Sequence, residues 1–291
     1  MFRGSHKRIP IILFLAVYFS SGLCRIGTSF DSRWTVYIAM SIWNHGDTNL
    51  DEYPHALHET QLYAVECVDS TGAVRVGVSE TCNGHWYNSY PIGGPVLTTP
   101  LIVIAVGVMK LLHPLVQHIH TTQPVIAGFL NGDYDAGHPL IEMEVASMLL
   151  AASAVMIYFI ALLYLPVKRA VWLAILFATA TSAYSIAGRA VWQHTPSMLL
   201  LTIITYLLLR AGDPNNARPV LAAWAGLPVA LAYTVRPTDS LWVIVFTLYV
   251  AIRHRRYFIY YLLAAAPVAA IFIGYNWSVY HAILSPYFRS N

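Results

Sequence analysis

Charge is scarce in this sequence: 11% of its 291 residues are charged, against about 25% in soluble domains, and 57% are hydrophobic. So few charges cannot dress a soluble surface, and the chain reads as a membrane protein. A formal net charge of +3 gives no basic face large enough for a polyanion, which excludes nucleic acid as a partner. Three cysteines are too few for a disulfide scaffold. Acids are nearly missing from the second half: twelve of fourteen lie from Asp31 to Glu144, and only Asp213 and Asp239 follow. That asymmetry needs a cause.

Hydropathy patterning places a first apolar segment at 9–29, behind Arg3, Lys7 and Arg8, so the chain leaves the cytoplasm at once. The residues before Cys24 lack the small-residue site of a cleaved signal peptide, which favours an uncleaved anchor. Further apolar stretches run over 93–112, 140–166, 171–187, 196–210, 219–235, 240–252 and 256–281. If all crossed in alternation, Lys168, Arg169, Arg210, Arg218, Arg253, Arg255 and Arg256 would face outward, against the bias of basic loops toward the cytoplasm. Segment 93–112 opens with Gly93, Gly94 and Pro95, carries Pro100 and Lys110, and leads into a His-rich stretch, His113 to Pro139, expected to be non-helical. Laid in the outer interface as an amphipathic or re-entrant helix, it returns all seven cations to the cytoplasm. The expectation is an all-α polytopic protein forming a single module over 1–291, with about seven transmembrane helices. The first span is followed by an external loop over 30–139, and 140–281 holds six further spans. Thirteen of the fourteen acids then face outward.

Within the loop, Asp31 to about Asn44 has helical spacing and Gly46 stops it. Alternating valines from Leu62 to Val78 around Asp69-Ser-Thr-Gly72 predict a small β-hairpin, a cap on the membrane domain. Cys67 and Cys82 share this oxidising face. A turn at Ser70 and Thr71 pairs Cys67 near Val74, however, and leaves Cys82 out of reach unless the chain curls back, so the bond stays open. Cys24 is a small buried hydrophobe of the first span.

Several constellations could carry chemistry. Asp31, held at the outer surface between the first span and the next helix, suits a base acting on a lipid-anchored substrate; helix capping is its ordinary structural use. Asp51 and Glu52 form an acidic pair that could hold a divalent cation, the candidate cofactor, or an acceptor; adjacent carboxylates are otherwise simply solvated, as are Asp133 and Asp135. Glu142 and Glu144 lie at the outer end of the second span, where Glu144 is either an ion-pair partner of Arg189 or Arg236 or a wall of a site. The turn Gly188 to Pro196 puts Arg189, Gln193 and His194 at membrane depth, and Arg236-Pro-Thr-Asp239 repeats the design with an Arg and an Asp. A guanidinium there suits a phosphate in the headgroup layer. The twelve histidines show no metal-ligand framework, so metal binding is left unknown. Trp86, Tyr87 and Tyr90 read as interface aromatics, and the sequon at Asn276-Trp-Ser278 falls in or beside the last span, where coincidence explains it.

The run Asp31-Ser-Arg-Trp-Thr-Val-Tyr37, with Ala39 and Gly46-Asp47, resembles the first external loop of the GT-C superfamily of membrane glycosyltransferases. These include the protein O-mannosyltransferase, aminoarabinose transferase and oligosaccharyltransferase types. Tyr90-Pro-Ile-Gly-Gly-Pro95 is similar to the element that opens their external interfacial helix. Where aminoarabinose- and mannosyl-type enzymes have an Asp-Glu pair this chain has Asp31-Ser32, so only the Asp carries over; where oligosaccharyltransferases carry acidic metal ligands it has Gln193 and His194. The resemblance implies transfer of a sugar from a polyprenyl-phosphate donor to a glycan, lipid or protein acceptor on the periplasmic or lumenal side, in a bacterial cytoplasmic membrane. Asp31 would be the base. Arg189, His194 and Arg236 would hold the donor phosphate, and Asp51, Glu52, Glu144, Gln193 and Asp239 the acceptor or a cation. Such enzymes continue beyond this module, so the chain reads as a short member, half of a split enzyme or a fragment. The alternatives are a transporter or flippase subunit, with the same charges lining a pathway, and a non-catalytic scaffold.

Overall fold

The structure, a computed structural model, describes residues 8–23, 29–75, 82–284 and 286–288. It is mostly helical. In chain order the elements are α1 (Ile9–Gly22), α2 (Trp34–Asn44), α3 (Pro54–Glu59), β1 (Val65–Val68), β2 (Val74–Arg75), β3 (His85–Asn88), α4 (Gly93–Val116), α5 (Pro124–Leu130), α6 (Tyr134–Ala161), α7 (Val167–Thr179), α8 (His194–Ala211), α9 (Leu221–Trp224), α10 (Gly226–Val235), α11 (Ser240–Arg253) and α12 (Phe258–Tyr280). Contacts divide the chain into a helical unit, 1–26 with 146–269, and a sheet-bearing unit, 27–145 with 270–291.

Among the described residues four helices are long and apolar enough to cross a membrane: Gly93–Val116, Tyr134–Ala161, His194–Ala211 and Arg255–Tyr280. Three of these coincide with the expected spans 140–166, 196–210 and 256–281. The other four expected spans fall on shorter helices, of which α1 and α9 with α10 are apolar ones of 10–17 residues, the others being α7 and α11. The remaining long helix is α4, the segment assigned to the interface on charge grounds.

In the helical unit, α7 presents Ala170, Ala174 and Ala178 at helical spacing, all fully buried against Leu13 and Val17 of α1 and Leu150, Ala154 and Tyr158 of α6. Small residues let the backbones approach where apolar lipid gives helices no hydrophobic reason to associate. Gly226 does the same between α10 and α12: a Cβ there would lie 2.0 Å from the Tyr261 carbonyl oxygen. After α7 a single π-helical turn, Ala183–Ala187, leads to Gly188, whose carbonyl accepts from the Ser21 and Ser147 hydroxyls at 3.2 and 3.3 Å.

In the sheet-bearing unit, Trp34, Tyr37 and Ile38 of α2 form a core with Leu50, Tyr53, Ala56, Leu57 and Val65. The predicted hairpin is present, its first strand starting at Val65 instead of Leu62. Strands β1 and β2 pair antiparallel, Val68 opposite Val74, and the Asp69 carboxylate closes the turn by accepting from the Thr71 and Ala73 amides at 2.8 and 3.1 Å. Val76 and Val78 lie outside the described residues. An unforeseen third strand, β3, pairs with the other edge of β1, giving the order β2-β1-β3. β3 is how the chain curls back: it sets Trp86 opposite Cys67, and the Cys67–Cys82 disulfide forms with a Cα–Cα distance of 5.6 Å.

Residues 113–139 are not a non-helical stretch. α4 runs on to Val116, α5 follows, and α6 starts at Tyr134 and carries Pro139 inside it; His138 Nδ1 lies 2.7 Å from the Asp135 carbonyl that an N–H at 139 would otherwise have met. Ile92, the N-cap of α4, packs on the α2 cluster, and Lys110 Nζ lies 6.0 Å from the ring of Tyr134, the first residue of α6, which also packs there. His113 Nδ1 is 2.7 Å from the Leu130 carbonyl, tying the far end of α4 to the chain that enters α6. Asn276 is fully buried in α12 and donates to the Ile283 carbonyl at 3.2 Å, a packing role rather than a glycosylation site.

Candidate functional site

Asp31 does not cap α2. The N-cap is Arg33, without a side-chain cap bond, and the exposed Asp31 carboxylate is turned to other partners. Its Oδ1 accepts from the Tyr90 hydroxyl at 2.7 Å and the Tyr63 hydroxyl at 3.0 Å, and the two phenol oxygens are 3.5 Å apart. Burial, and then the bonds to Tyr63 and Asp31, hold the Tyr90 phenol well above its ordinary pKa, so it remains a donor throughout the physiological range. With Oδ1 taken up by two donors, Oδ2 is the oxygen open to a further hydroxyl.

The backbone around Tyr63 is unusual. Gln61, Leu62 and Ala64 all have left-handed φ angles, +51°, +57° and +55°, without being glycine. Such residues each cost on the order of 1–3 kcal/mol and persist only where their surroundings fix them. Here Trp34 Nε1 donates to the Tyr63 carbonyl at 2.9 Å, and the Ser89 amide and hydroxyl donate to the Ala64 carbonyl at 2.9 and 3.1 Å. The result aims the Tyr63 ring at Asp31.

Several other acids of this unit are engaged in structure. Asp51 accepts the Trp86 amide at 2.9 Å and lies 2.6 Å from His85 Nδ1, fastening its loop to β3. Glu52 is exposed, with Oε2 3.4 Å from the Ser41 hydroxyl. Glu142 is fully buried and accepts from Ser32 at 2.6 Å; Glu144, one half-turn further along α6, is half-buried. Asp135 accepts from the buried Tyr37 hydroxyl. Among the described residues no three His, Cys, Asp or Glu side chains converge as a metal ion requires.

The helical unit holds a cavity of about 560 Å³. Ile157, Ile160, Phe177, Met198 and Leu201 give it apolar walls, while His194, Ser197 and Arg236 also line it. His194 and Ser197 sit in the first turn of α8 and Thr205, another lining residue, lies about 16 Å further along at 1.5 Å per residue, so the cationic groups mark one end. Behind that end Asp239, 2% exposed, accepts from Ser197 at 2.5 Å and stands 3.8 Å from Arg236 Nη1. Burial raises its pKa, opposed by the Ser197 bond and the charges of Arg236 and His194. Asp239 therefore positions Ser197 and Arg236 instead of facing the cavity. Arg189 is exposed and Gln193 is the N-cap residue of α8; neither lines the cavity.

Sequence reasoning missed Tyr63, Ser197 and the partnership of Ser32 with Glu142. Tyr63 sits in Gln-Leu-Tyr-Ala, a run with no turn residue to announce three left-handed positions. Ser197 shows a weak signal: it follows Pro196 by one residue, on the first turn of a helix that already carries His194. Comparison with family models, curated proteins and solved structures finds no match to this chain.

Proposed function

We propose that the chain is a membrane glycosyltransferase that moves a sugar from a polyprenyl-phosphate donor to an acceptor on the external face. The observation that supports this most is the helical unit's cavity: an apolar trough for an isoprenoid chain, ending in a guanidinium, an imidazole and a hydroxyl suited to a phosphate. His194 at the start of α8 also adds the positive end of a helix dipole. The disulfide fits an oxidising compartment for the sheet.

In this reading the acceptor oxygen forms a bond to the anomeric carbon while the carbon–oxygen bond to the lipid phosphate breaks and its electron pair leaves with the phosphate. Asp31 Oδ2 takes the acceptor proton. Arg236 and His194 stabilise the charge that develops on the departing phosphate, and Arg189 draws the headgroup in.

The test uses purified protein in nanodiscs with a panel of radiolabelled polyprenyl-phosphate sugars. At least one donor should support transfer, with Arg236→Ala raising the KM for that donor about tenfold, the loss of one charged hydrogen bond. Transfer from none of the donors contradicts the reading.

A further inference from the structure

We infer that the aromatic side chains around Asp31 form an acceptor platform and that the acceptor is a carbohydrate. This deepens the glycosyltransferase reading and rests on it for the role of Asp31 as base; the binding it claims stands by itself.

Phe30 is 64% exposed and Tyr63 43% exposed, although both are large and partly apolar. Their rings lie 5.3 Å apart, tilted by 58°. Tyr90 makes a second tilted pair with Tyr287 at 6.1 Å. The two pairs are joined through the phenol oxygens, 3.5 Å apart, and through the carboxylate that both phenols bond. Ring faces thus alternate with oxygen atoms around one exposed carboxylate.

That alternation matches the two surfaces of a sugar ring. The axial C–H face of a pyranose or furanose carries weak positive charge that the negative face of an aromatic ring attracts, and its hydroxyls need acceptors beside that face. Asp31 Oδ2 and the lone pairs of the two phenols supply them. An acyl chain laid here would strip water from a carboxylate and two phenols and replace it with nothing, at a few kcal/mol per group. The fixed, left-handed backbone at Gln61, Leu62 and Ala64 adds an independent pointer: the fold holds a strained loop to keep one exposed tyrosine in place.

The experiment is saturation-transfer NMR on the full chain in nanodiscs, with methyl glycosides of mannose, glucose, galactose and arabinose as probes. Wild type should saturate at least one glycoside. Phe30→Ala and Tyr63→Ala should each weaken that signal at least fivefold, and Tyr63→Phe, which keeps the ring and the packing, less than either. No saturation of any glycoside, or equal signals from wild type and both alanine variants, overturns the inference. So does a Phe30→Trp variant whose fluorescence is quenched by brominated lipid and is indifferent to every glycoside, because Phe30 then belongs to the bilayer. Glycoside binding without transfer from any donor would sink the glycosyltransferase reading and leave the platform. Transfer to a non-carbohydrate acceptor without glycoside binding would do the reverse.

Discussion

Tyr90 donates a 2.7 Å hydrogen bond to the Asp31 carboxylate across 59 positions of sequence, joining the start of α4 to the turn before α2. Tyr63 reaches the same oxygen at 3.0 Å, so this carboxylate is oriented by two phenols instead of capping a helix.

Tyr90 is accordingly a positioning residue. Tyr90→Phe should lower kcat about tenfold with the donor KM unchanged, since it removes one charged hydrogen bond while keeping the ring. In an Asp31→Asn background the same change should do almost nothing further. Steady-state kinetics of the double-mutant cycle checks this, and additive losses would show that Tyr90 acts elsewhere.

An interfacial α4 has a direct consequence. In a protein without other accessible cysteines, a cysteine at Lys110 should react with a membrane-impermeant maleimide added from outside. Labelling only from the cytoplasmic side would make α4 a true crossing and reverse the sidedness of every loop after it.

The expectations drawn from the sequence divide along physical lines. Apolar spacing made α2, α6, α8, α11 and α12 legible, because burial or lipid contact dictates residue type along a whole helix face. The Asp69–Gly72 turn was legible because Asx and glycine chemistry is local. β3 was not: His-Trp-Tyr-Asn has no alternation, and it becomes a strand only because β1 offers an unpaired edge. Asp31, His194 and Arg236 were visible as polar groups out of place. Their partners Tyr63, Tyr90 and Ser197 were not read as such, because a hydrogen bond between distant positions leaves no periodicity.

The disulfide closes a loop of 15 residues and should contribute about 3 kcal/mol. Cys67→Ser with Cys82→Ser, or reduction of the wild type, should lower the melting temperature by about 5 °C. Thermal unfolding in detergent with and without reductant measures it, and coincident curves would remove the bond from the account of how β3 is held.

Close helix packing gives a matched pair of glycine substitutions. Gly226→Ala places a Cβ 2.0 Å from the Tyr261 carbonyl and should destabilise by about 1–3 kcal/mol, whereas Gly94→Ala meets nothing within 4 Å and should be near neutral. Equal melting temperatures for the two variants would mean that α10 and α12 do not approach as described.

The role of Asp31 carries the account. With whichever lipid-phosphate sugar supports transfer, Asp31→Asn should lower the turnover rate by about 10²–10⁴-fold, the range a general base typically contributes, while donor binding stays within twofold of wild type. An Asp31→Asn protein that transfers sugar as fast as wild type would contradict it.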